Sequence, residues 1–163
     1  MQEKSTRTPN AERRAQMRAR LIEAARALFV EKGYAEASTP EIVRMAGATR
    51  GALYHHFEDK QALFRAVVEA EAQAVTEVID TASTTVDTLD ALAEGSRAFF
   101  DAMSDAARAQ LLLVDGPAVL GAAEMDRIDA GGGRQSLLVG LKAAHPDHDE
   151  ETLAAMAVVL SAA

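Results

Sequence analysis

The stretch "STPEIVRMAGATRGALYHHFEDK", residues 38–60, limits the fold more than any other part of the sequence. Ser38 and Glu41 have the spacing of a capping box, in which a hydroxyl and a carboxylate satisfy exposed backbone N–H groups reciprocally. Pro40 is tolerated in a first helical turn. A helix opened there runs only to about Ala46, because Gly47 follows and favours a left-handed end. Thr49 offers a second N-cap, and the next helix reaches about Phe57. Two short helices joined by a glycine-containing turn spell helix-turn-helix.

The second helix of this pair has a distinctive outer surface. At about 100° per residue, Leu53 and Phe57 share an inward face. Gly51, Ala52 and His55 then point away from the core, with Tyr54 and His56 on the flanks. Small residues at the outward centre permit close approach, and Tyr and His at the margins can donate to phosphate oxygens. Adjacent histidines diverge by the same angle, so His55 and His56 do not form a catalytic pair. Asp59 is placed to cap a fourth helix, which puts Lys60 in its first turn, where a positive charge opposes the helix dipole. Lys60 is either a solvated side chain or one that holds a phosphate together with the exposed N–H groups, and its breach of a local rule favours the phosphate.

Charge separates the same region from the rest. Residues 1–65 carry 12 Lys+Arg against 8 Asp+Glu, a balance of +4; the remainder carries 5 against 17, or −12, and the two make the net −8. An anionic partner would therefore meet the first third only. Arg13, Arg14, Arg18 and Arg20 crowd the first half of a helix expected over about residues 10–32, started by Pro9 and Asn10. They read either as a solvated face or as a basic arm beside nucleic acid. Leu21, Ala25, Leu28 and Phe29 form its apolar stripe, Gly33 ends it, and Tyr34 folds back onto Phe29.

These residues carry a resemblance. "LIEAARALFVEKGY", "EIVRMAGATRGALYHHFEDKQALF" and their spacing are similar to the DNA-binding domain of the tetracycline-repressor (TetR) family, over about residues 10–65. The resemblance implies that Thr39, Thr49, Tyr54, His56 and Lys60 hold phosphates. It implies that Arg50, Gly51, Ala52 and His55 face base edges, with Arg44 a contributor. Pro40 and Val43 depart from the family's preferences. It also implies an all-α protein: residues 1–58 a three-helix DNA-binding domain, and 59–163 a helical bundle that binds a small effector and forms a homodimer on a palindromic operator.

Beyond the head, helices are expected at about 60–81, 87–104, 105–114, 117–129, 134–144 and 149–163, since alternating β-branched runs are absent. Asp147 or Asp149 caps the last one. The chain stops at "AVVLSAA", about one helix short of the family's usual dimer bundle, which should leave Met156, Val159 or Leu160 exposed. Phe99, Phe100, Met103, Leu112 and Met125 are candidates for an effector pocket, although such residues more often fill a plain core.

Other chemistry finds little support. No glycine-rich phosphate loop or zinc-binding His-Glu motif is present, so neither enzyme activity nor a cofactor is expected. His145, Asp147, His148 and Glu151 form a candidate metal cluster, but a loop leading into a capped helix is the favoured account. The absence of cysteine excludes disulfides. No run approaches the roughly 18 apolar residues of a membrane span, and "MQEKSTRTPN" lacks a signal-peptide apolar region. A cytoplasmic transcriptional regulator is expected, released from DNA by an apolar or amphipathic ligand or else controlled by a protein partner or a metal.

Overall fold

Capping decides where the first helices begin and end. The computed structural model describes residues 8–84 and 88–161, whose regular elements are all helices, with no strand among the described residues. The expectations for residues 1–7 and for the final two residues lie outside them. Helix α1 (Thr8–Glu36) begins ahead of Asn10 and is interrupted at Gly33, whose φ of 78° and ψ of 164° break the helical path. A side chain at that φ would be strained. Tyr34 does fold back, its ring 5.8 Å from that of Phe29.

Helix α2 (Thr39–Met45) has the full capping box: the Ser38 hydroxyl accepts from the Glu41 N–H, and the Glu41 carboxylate accepts from the Ser38 N–H. Lys32 reaches the same carboxylate at 2.6 Å, tying α2 to α1. Hydrogen bonds from Lys32 and then from Ser38 hold the Glu41 carboxyl down at about 2. Gly47 takes φ 57° in the turn. Helix α3 (Arg50–His56) is capped by Thr49, whose hydroxyl accepts from the Ala52 N–H at 3.1 Å. Asp59 caps helix α4 (Lys60–Thr84), accepting from the Ala62 N–H at 2.7 Å.

The chain divides into two compact units, one running to Val67 and the other from Val68. The boundary therefore falls beyond residue 58, where the sequence placed it. The reason is the packing of early α4: Leu63, Phe64 and Val67 are fully buried with Leu21, Phe29, Ile42 and Leu53. Phe64 stands edge-on to both Phe29 and Tyr34, at 5.1 and 5.0 Å, so three rings close the first unit.

In the second unit, α5 (Thr88–Met103) is followed by α6 (Ala106–Ala109), a π-helical segment (Gln110–Asp115) and α7 (Gly116–Leu120). The break expected between residues 114 and 117 is absent, and the backbone widens instead. Pro117 has no N–H to give and its ring crowds the carbonyl four residues back, inside the widened segment. The chain breaks later, at Gly121 (φ 85°), before α8 (Ala122–Ala130). Helices α9 (Gly133–Ala144) and α10 (Glu150–Ser161) pack through Leu141, Leu153 and Ala157, flanked by Leu92, Leu137, Leu138 and Met156. Asp149, not Asp147, caps α10, accepting from the Thr152 N–H at 2.8 Å. Met156 is half-buried in this core, whereas Val159 and Leu160 are exposed, as expected.

Candidate nucleic-acid interface

Helix α3 is anchored from behind by Leu53 and Phe57, which are buried. Its other face carries the residues singled out from the sequence: Arg50, Gly51, Tyr54 and His55 are exposed, while Ala52 and His56 are half-buried. The Arg50 guanidinium lies over the Tyr54 ring, 5.6 Å from its centre, which limits the rotamers of both. Thr49 and Arg44 are exposed, on the turn and on α2, and Thr39 is half-buried in the first turn of α2. These side chains share the surface formed by α2, the turn and α3.

Lys60 is placed differently from the sequence reading. Its ammonium donates to the carbonyls of Tyr34, Ala35 and Ala37 at 2.7, 3.2 and 3.0 Å, and lies 4.4 Å from the centre of the Tyr34 ring. An ammonium has three protons, and three acceptors take them. The positive charge that opposes its own helix is thus matched by carbonyls at the end of α1. Arg20 is likewise a structural group rather than part of a basic arm: its guanidinium donates to the Ala46 carbonyl at the end of α2. A Cβ added to Gly47 would stand 2.6 Å from that guanidinium, a second reason for glycine there.

His56 faces α1 across an open groove of about 530 Å³ lined by Asn10, Ala11, Arg14, Ala15, Arg18 and His56 itself. Burial foremost, then the charges of His55, Arg14 and Arg18, hold its imidazole below the ordinary histidine value.

The effector-pocket candidates differ in exposure. Phe100 is 68% exposed and Phe99 40%, so neither lines an enclosed cavity. Helix α5 turns its small residues Gly95 and Ala98 inward, which carries positions 99 and 100 outward. Met103, Leu112 and Met125 are half-buried, and the Met125 sulfur packs where a side chain on Gly116 would stand. The His145 and His148 rings are in contact at 5.3 Å, and no group of three metal-ligating side chains occurs among the described residues.

Residues 21–67 match the family model for bacterial regulatory proteins of the tetR family. The head of the chain is therefore similar to that family. The match ends at Val67, the last residue of the first compact unit. The transcriptional repressor AcnR of Corynebacterium diphtheriae is 39% identical over 62 residues, which are 38% of this chain and 33% of that protein. The chain thus spans about a third of the length of the curated relatives it matches. Solved structures of TetR-type proteins align much further. A TetR transcription regulatory protein from Mycobacterium vanbaalenii is 28% identical, with 94% of each chain covered and a TM-score of 0.63. A structure of RolR in complex with resorcinol is 25% identical, covering 94% of this chain and 83% of that one, with a TM-score of 0.60. Among the described residues, no helix of this chain is long and apolar enough to cross a membrane.

Proposed function

We propose that this chain is a sequence-specific DNA-binding transcriptional regulator, acting in the cytoplasm as a homodimer on a palindromic operator, and a repressor released by a small apolar or amphipathic effector. The observation that carries the reading is the outer face of α3, where Arg50, Gly51, Tyr54 and His55 are exposed over the buried anchor of Leu53 and Phe57. A helix with small residues at its outward centre enters a major groove closely. Arg50, Gly51, Ala52 and His55 face base edges in this reading, with Arg44 beside them. Thr39, Thr49, Tyr54 and His56 hold phosphates, and Lys60 acts by fixing the connection between α1 and α2.

Support for a small effector comes from relatives. RolR was solved with resorcinol bound, and the A-factor receptor protein of Streptomyces griseus is 38% identical over 55 residues, 34% of this chain and 20% of that protein. The second reading, control by a protein partner, draws on the exposed Val158, Val159 and Leu160 of α10. The same residues supply an apolar face for a second copy of the chain. The test is selection of duplexes from a random pool. Arg50→Ala should relax discrimination at particular base pairs by about 1–3 kcal/mol. Uniform loss across all sequences would remove Arg50 from base readout.

A further inference from the structure

Asn10, Arg14 and Arg18 recur at every fourth position of α1, so they project from one strip of the helix. Ala11 and Ala15 lie between them and keep the floor of the groove low. His56, the last residue of α3, forms the opposite wall. The lining contains cationic and amide donors and no carboxylate. The Arg18 guanidinium is seated over the Phe57 ring, 5.4 Å from its centre, which fixes where that charge stands. Two guanidinium groups held on one strip repel each other and disfavour a charge on the imidazole beside them, and an arriving anion relieves both. Planar guanidinium forks suit phosphate oxygens in particular.

We infer that this groove seats a phosphodiester of the DNA backbone, separate from the contacts made by the outward face of α3, and that His56 takes up a proton as the seat fills. The inference rests on the DNA-binding reading. The charges acting on His56 are Arg14 and Arg18 from α1 and His55 from its own helix, and together with burial they favour the neutral imidazole while the groove is empty. A phosphodiester offsets one of these positive charges, so the imidazole takes up a proton more readily in the complex than in the free chain. The sign follows: affinity for DNA rises as pH falls through the interval between the bound and free pKa values of His56, by at most about tenfold per pH unit per histidine. Above that interval the contribution is flat.

The experiment uses the whole chain and a labelled duplex that it selects from a random pool. Affinity is measured against salt and against pH for the wild type, for the double variant R14Q/R18Q and for H56Q. The double variant should flatten the logarithmic salt dependence by about 0.9 per chain, one phosphate's worth. H56Q should lose the part of the affinity that grows as pH falls. Independently of any substitution, the imidazole resonances of His56 in the wild-type chain should titrate at higher pH with the duplex than without it. Inorganic phosphate alone should not reproduce that rise. An unchanged salt slope in R14Q/R18Q, a His56 titration unmoved by duplex, or an equal rise with inorganic phosphate would each overturn the inference while leaving DNA binding intact. Failure of the wild-type chain to retain any duplex would overturn the DNA-binding reading itself.

Discussion

The two units of the molecule use their apolar residues in opposite ways. Among the described residues, 14 of the 21 buried apolar residues lie at or before Val67 and 7 after it, although the second unit is the longer. The large apolar residues left exposed divide the other way: Val30, Met45 and Tyr54 in the first unit, against nine in the second, from Val78 to Leu160. Burial of apolar area is the main favourable term in folding, at about 25 cal/mol per Å². The first unit has therefore nearly exhausted its apolar side chains on its own core. The second keeps a reserve on its surface, and such surface marks sites of association.

Substitutions can break this comparison. The largest effect is expected for Phe64→Ala, at about 3–5 kcal/mol, because the ring is fully buried against two others. Phe100→Ala should change stability by only about 0.5 kcal/mol. Chemical denaturation of both variants decides the point, and equal losses would refute the contrast. The Lys60 clasp gives the next largest effect. Lys60→Met leaves three carbonyls without their donor and should cost the first unit about 2 kcal/mol, within the range for hydrogen bonds to a charged group. Unchanged stability with a DNA salt slope lower by about 0.9 would return Lys60 to the phosphate ligands. The smallest effect concerns the reserve itself. Replacing Val159 and Leu160 by Asp should weaken self-association at least tenfold, or about 1.4 kcal/mol, in sedimentation equilibrium. If the assembly is indifferent to both charges, α10 is not the face that joins the copies.

What was legible in the sequence follows a physical line. The Ser38–Glu41 box, the Thr49 and Asp59 caps and the breaks at Gly33 and Gly47 are local rules, acting within four residues, and each operates in the fold. The inward Leu53 and Phe57 follow from helical periodicity alone. The partners of Lys60 and Arg20 were not legible because they lie 23 to 27 residues away, and no local pattern announces a carbonyl at such a distance. The exposure of two effector-pocket candidates was hidden for a related reason. Phe99 and Phe100 are apolar, but only tertiary packing decides which face of α5 turns inward, and Gly95 and Ala98 hold it. The widened segment at residues 110–115 shows how a proline can be absorbed by the turn before it instead of ending a helix. The basic groove was half legible, since the crowding of Arg13, Arg14, Arg18 and Arg20 was plain in the sequence but could not place His56 opposite.

The reach of α4 into the first unit has a bearing on how such molecules can be taken apart and recombined. A chain cut at residue 58 would carry the whole helix-turn-helix and yet lack Leu63, Phe64 and Val67, which complete its interior, and Lys60, which ties down the end of α1. The recognition surface is thus not a detachable module bounded by its own three helices. Its smallest autonomous fragment includes the opening turns of the helix that leads away from it. A chimaera joining this head to a foreign body should place its seam after Val67, within a continuous helix, where both sides must agree in helical phase as well as in sequence.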